Sequence, residues 1–294
     1  MKAPRRGVAL ALMVAAPVLW STAGVVTRHI ERATPFEQVF WRSLFAGAFV
    51  AATLFIVMRR HPRRAVRGAG WPGLLSGALW GVMFTAFVLA LSLTTTANTL
   101  VVMSISPLLT VLLARLVLSD PVRMRTWLAA AAAGAGIAWM FGAGFSAQNA
   151  RHLSGMLVAL VIPFASAINV VTLRAAAGRL DLVPALVLGG AMSCAISLPF
   201  ALPFSATPRD LALLAFLGFF QLGLPCMLVV IASRSLLAPE IALLGLLEVV
   251  LGPLWAWLGA GEIPADATLA GGTIVLLALI SNELAGIRPA RSAA

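Results

Sequence analysis

The sequence predicts an all-α integral membrane protein of ten transmembrane helices, built as an inverted five-plus-five repeat. Three observations predict it. Ten apolar runs are each long enough to cross a bilayer, basic residues concentrate in alternate connections, and several residues recur at a near-constant offset between the two halves.

Composition sets the class. Of 294 residues, 61% are hydrophobic and 11% charged, against about 45–50% and about 25% in ordinary soluble domains. No soluble core could bury that surplus. A net charge of +11 would suit a nucleic-acid binder only if Lys and Arg clustered on a folded polar surface. Here they fall in short breaks between apolar runs, which points to membrane orientation and to lipid rather than nucleic acid as the surrounding partner.

The runs, in order, are Val8 to Thr27, Phe36 to Met58, Trp71 to Leu93, Thr96 to Leu118 and Trp127 to Phe145. A second set follows at Leu153 to Leu173, Leu182 to Phe204, Leu211 to Ala232, Leu237 to Leu258 and Thr268 to Leu284. A span needs about 20 mostly apolar residues. The first run follows Lys2, Arg5 and Arg6 and resembles a signal peptide, but its length suits a retained helix. Strands are excluded because alternation is absent and lipid admits only helices or closed barrels.

Orientation follows from the basic residues, which stay on the cytoplasmic side. One side collects fifteen, in the N-terminal segment, the 59–67 loop, positions 123, 125, 174, 179 and 234, and the C-terminal tail. The other holds four: Arg28, Arg32, Arg151 and Arg209. Both termini are therefore expected in the cytoplasm of a bacterium, with the chain multi-pass in its inner membrane.

The halves repeat. Pro17 precedes Arg28 by eleven residues and Pro163 precedes Arg174 by eleven, an offset of 146. Ser119-Asp120 matches Gly261-Glu262, and Gly81 matches Gly223, at an offset of 142. Two repeats follow, residues 1–148 and 149–294. With five spans in each, the second must lie upside down relative to the first, the usual construction of secondary transporters.

Candidate functional residues lie at membrane depth. Pro17, Pro107, Pro163, Pro225 and Pro253 fall inside the spans, where each removes a helical hydrogen bond. They read as hinges around a pathway, or as kinks that membrane helices simply tolerate. Gly73, Gly77 and Gly81 share one face of the third span and suit close helix packing. Glu248 stands about eleven residues into the ninth span. A charge there costs about 2.5–3.5 kcal/mol on insertion scales, so it should face the bundle interior or a watery cavity. Asn169 and Gln221, near the middle of their spans, point the same way or else tie helices together. Arg42, two turns into the second span with Glu37 close by, reads as an anchor that snorkels outward or pairs with that carboxylate. Trp20, Trp80, Phe84 and Phe164 are candidates for an aromatic cavity lining, with lipid-facing aromatics as the other reading.

Enzyme motifs are missing. The sequence has no HExxH, GxSxG or P-loop, and His29, His61 and His152 all fall in connections. Cys194 and Cys226 lack any ligand spacing. The expectation is a non-enzyme without catalytic residues, metal or cofactor.

The ten spans, the inverted repeat and the run from Pro239-Glu240-Ile241 through Leu247-Glu248 to Gly261-Glu262 resemble the drug/metabolite transporter superfamily, EamA type. Ser106-Pro107 and Ser119-Asp120 are the matching places in the first half. The family often has Glu-Pro where this chain has Glu248-Val249, its proline coming one turn later at Pro253. The resemblance implies a secondary transporter working by alternating access. It would export amino acids or similar small metabolites, through a cavity lined by spans one, three, four, six, eight and nine. The aromatic-amino-acid exporter branch looks similar, and protons are a candidate coupling partner through Glu248. Two alternatives stand beside this: a drug-efflux or import carrier of the same fold, and a membrane enzyme or other membrane protein that does not transport.

Overall fold

A computed structural model describes residues 4–59, 61–118, 124–146, 150–176, 179–236 and 238–287. Every apolar run is helical, and no strand occurs among the described residues. The first half comprises α1 (Arg6–Trp20), α2 (Ala23–Thr27), α3 (Pro35–Ile56), the short basic α4 (Pro62–Gly68), α5 (Gly70–Leu93), α6 (Thr96–Met103), α7 (Ser106–Leu118) and α8 (Met124–Ser146). The second half comprises α9 (Ala150–Ala176), α10 (Ala185–Ala201), α11 (Pro208–Phe216), a π-helical stretch (Leu217–Gly223), α12 (Leu224–Ala232), α13 (Ala238–Ala260) and α14 (Asp266–Ile287). Among the described residues, six helical stretches are long and apolar enough to cross a membrane, accompanied by four shorter apolar helices at 127–136, 185–201, 247–260 and 266–278. The chain is a multi-pass membrane protein. Its Ser119-Asp120 pair lies outside the described residues.

Three of the runs expected to be continuous are interrupted, and the chemistry of each interruption is visible. The first run breaks at Ser21-Thr22, four residues past Pro17, where the two hydroxyls donate to the carbonyls of Val18 and Leu19 at 2.7 Å each. The fourth breaks at Ser104-Ile105, and Ser104 Oγ donates to Val101 O at 2.6 Å. Pro107 has no N–H for the carbonyl of Met103, four residues back. Ser106 Oγ supplies a donor instead, at 2.8 Å. The eighth run widens into the π-helical stretch immediately before Pro225. Hydroxyls from the same helix thus satisfy backbone groups that no water reaches.

The glycines of the third span pack α5 against α10. Without side chains the two backbones approach closely: a Cβ at Gly189 would lie 2.7 Å from Trp80 Cβ and 3.3 Å from Gly81 N. Gly189→Ala therefore has to force α5 and α10 apart. Overpacking of this kind costs about 1–3 kcal/mol, and we expect a lowered melting temperature for the purified protein in detergent. An unchanged melting temperature would show that the contact is loose.

Elsewhere α5 also packs on α9, α10 on α3, α14 on α8, α1 on α12 and α13, α2 and α6 on α13, and α6 and α7 on α9. A buried hydroxyl cluster joins three of these helices, with Ser43 Oγ donating to Ser193 Oγ at 2.9 Å and Thr85 Oγ1 lying 3.0 Å from the same atom.

Candidate functional site

A cavity of about 200 Å³ lies inside the bundle. Residues of α1, α5, α6, α7, α9, the π-helical stretch, α12 and α13 line it, together with Arg42 from α3. Leu173, Val229 and Ile241, each three residues from the end of its helix, carry it toward the end of the bundle that bears the N terminus. Most of the wall is apolar, which leaves its few polar groups to determine what it can hold.

Six of the seven residues expected in the cavity line it: Trp20, Trp80, Phe84, Asn169, Gln221 and Glu248. Trp80 and Phe84 are tilted against one another with ring centroids 5.7 Å apart. Phe164 does not line it. On α9 the cavity face is carried by Ile162, Ser166, Asn169 and Leu173, which recur every three or four residues, and Phe164 falls off that face and is 56% exposed. Among the prolines, Pro107 lines the cavity at the start of α7, and Pro17, Pro163 and Pro225 are buried in α1, α9 and α12. Pro253 lies inside α13.

Asn169 and Gln221 each have one fixed partner. Asn169 Oδ1 accepts from Ser76 Oγ at 2.7 Å, joining α9 to α5. Gln221 Nε2 donates to Trp20 O at 3.2 Å, where the first run breaks. Neither reaches Glu248, which accepts no hydrogen bond among the described residues.

Arg42 corrects the expectation of an outward anchor. Its residue is only 4% exposed and it lines the cavity. It does not pair with Glu37, because that buried carboxylate accepts from the backbone of Ser205 and Ala206, from Ser205 Oγ and from Trp41 Nε1. The Arg42 guanidinium sits over the Phe87 ring, 5.2 Å from its centroid. Glu248, the cavity's carboxylate, lines the same space without forming an ion pair with Arg42.

At the end of the bundle away from the N terminus, a polar latch joins the two halves. Arg28 Nε and Glu262 Oε2 form an ion pair at 2.8 Å, while the Arg28 Nη atoms donate to Leu91 O and Thr94 O at 3.1 Å each. Glu262 also accepts from Thr96 N and from Thr96 Oγ1. Its aim comes from a helix C-terminus. Gly261, at φ +67°, turns the chain so that its N–H bonds Trp257 O and the Glu262 N–H bonds Ala256 O, the paired bonds of a glycine cap. The Gly261-Glu262 pair noted in the sequence is thus a cap followed by a latch residue. Thr268 and Asn98 extend the latch to α14, with Thr268 Oγ1 donating to Asn98 Oδ1 at 2.5 Å.

Residues 7–142, a little under half of the chain, match the EamA-like transporter family model. A solved chain described only as a crystal structure of protein aligns over 97% of this chain and 100% of its own, with a TM-score of 0.67 and 20% identity. The two chains therefore share a fold along nearly their whole length. No curated protein matches.

Proposed function

We propose that this protein is a secondary transporter that exports small metabolites, amino acids foremost, across a bacterial inner membrane by alternating access. The observation that carries this reading is a mid-bundle cavity lined from both halves of the chain, latched by Arg28 and Glu262 at one end and running toward the other. The volume favours a metabolite over a drug, since drug-sized ligands occupy about 300–1,000 Å³.

The same proposal takes the ten helical stretches as ten spans and residues 1–148 and 149–294 as inverted repeats. The packing supports it. If each helix of the first half is exchanged for its counterpart in the second, α5 on α9 becomes the eighth stretch on the first, and α12 does pack on α1. By the same exchange α5 on α10 becomes the eighth stretch on α3, and the π-helical stretch does pack there. The pairs α3 with α10, α8 with α14 and α6 with α13 map onto themselves. Pro17, Pro107, Pro163, Pro225 and Pro253 serve as hinges in this reading, and the N-terminal end faces the cytoplasm.

Two measurements test it. Reporter fusions in the 59–67 loop and at the C terminus should report cytoplasm and a fusion at Gln148 the exterior; a reversed signal at Gln148 removes the ten-span topology. Proteoliposomes should show counterflow of a labelled amino acid, driven further by a pH gradient if Glu248 exchanges protons. Wild-type vesicles that exchange no amino acid, nucleoside or organic cation would overturn the transport reading. Exchange that ignores the pH gradient would leave a facilitator.

A further inference from the structure

The cavity holds more unpaired hydrogen-bonding capacity than a structural role requires. Arg42 donates no hydrogen bond to any described residue, and its Nε is buried without a partner. Trp80 Nε1, on a residue 7% exposed, is a second buried donor without a partner. Gln221 Oε1, on a residue 2% exposed, is a buried acceptor without a partner. The Glu248 carboxylate accepts nothing among the described residues. Buried polar groups are paired in the great majority of cases. Here two buried donors and one buried acceptor are left unpaired around one space, and the half-buried Glu248 carboxylate faces the same cavity as Arg42.

We propose that this cavity recognises a dipolar solute, with a carboxylate held by Arg42 and Trp80 and an ammonium held by Glu248 and Gln221. The proposal rests on the transport reading above and names the chemistry of its site. The fixed charges select for both groups at once. Arg42 and Glu248 together are neutral, so a guest bearing both charges leaves every charge compensated. A singly charged guest satisfies one residue and leaves the other buried and unpaired, the costly arrangement in a low-dielectric site. Stacking over Phe87 holds the guanidinium plane, and a planar fork suits a carboxylate better than an ammonium does. Trp20 and Phe84, also on the wall, offer aromatic surface to an apolar side chain.

The test uses three probes that share one isobutyl body: leucine, leucinamide with the positive charge alone, and 4-methylpentanoate with the negative charge alone. Binding is read on the purified full-length protein as ligand-dependent thermal stabilisation. Leucine should bind at least about tenfold more tightly than either analogue, a difference of about 1.4 kcal/mol. Arg42→Lys keeps the charge but loses the fork, and should weaken leucine about tenfold while leaving leucinamide unchanged. Glu248→Gln should close the gap between leucine and 4-methylpentanoate. Trp80→Phe, which keeps a ring but loses the N–H, provides a third readout should either charge variant fail to fold, and should weaken leucine and 4-methylpentanoate but not leucinamide. Three probes bound alike, no stabilisation by any probe, or variants that shift all probes together would overturn the proposal. Counterflow in vesicles separates the two readings: selective binding without exchange sinks transport and leaves the site, whereas exchange without dipolar selectivity sinks the site alone.

Discussion

Replacing Glu262 with Gln should open the latched end of the bundle. The ion pair with Arg28, itself anchored on Leu91 O and Thr94 O, is the charged contact that crosses from the α13–α14 connection to the first half at this end. Neutralising it leaves Arg28 holding two carbonyls but no carboxylate, so closure loses its charge-assisted term. A natural reporter is present in Cys226, a buried residue on the cavity wall, once Cys194 is replaced by Ala. A membrane-impermeant thiol reagent added from outside should label Cys226 at least about tenfold faster in Glu262→Gln than in the parent, the size expected if the closed state loses about 1.4 kcal/mol. Arg28→Gln should act in the same direction. Equal labelling rates would show that the latch is surface decoration. The same assay tests the hinges, because Pro17→Ala and Pro163→Ala should shift the balance between the two accessible faces.

The second large effect concerns stability. Arg42→Gln leaves Glu248 facing the cavity without its counter-charge, and Glu248→Gln does the same to Arg42. Removing one of two opposite charges on a shared cavity leaves the other uncompensated, whereas neutralising both is milder. The double variant should therefore be more stable than either single variant, with a coupling energy within the range of about 0.5–3 kcal/mol seen for interacting residues. Melting temperatures in detergent across the four proteins give the cycle. Strictly additive losses would mean that the two charges ignore each other.

Much of this architecture was legible. Hydropathy located the long apolar helices because an apolar run of span length has few alternatives, and it missed the short basic α4, read as a loop. Cost located Glu248, Asn169 and Gln221 on the cavity, since polar groups at membrane depth have to face inward. What failed was rotational phase. Residue type alone puts Phe164 in the lining and takes no account of the phase of α9. The spacing from Asn169 back through Ser166 to Ile162 marks the cavity face and leaves Phe164 off it. Arg42 failed for a related reason. Its position two turns from a helix end fits an outward-reaching side chain as well as an inward one, and only the capture of Glu37 by the 205–206 backbone, far along the chain, removes the partner that made the outward reading natural.

That capture also bears on how the protein is made. Glu37 is fully buried, and its carboxylate is capped by N–H groups of Ser205 and Ala206, while Asp210 in turn accepts from the N–H groups of Glu31 and Arg32. Each half therefore completes a loop of the other. As the chain leaves the ribosome, α3 is made with a carboxylate whose donors have not yet been synthesised. The helices of the first half cannot reach their final packing until the connection before α11 has been translated and delivered to the same side. The two halves therefore cannot complete their packing independently of one another, because the loop before α3 is finished only when residues 205–210 are in place.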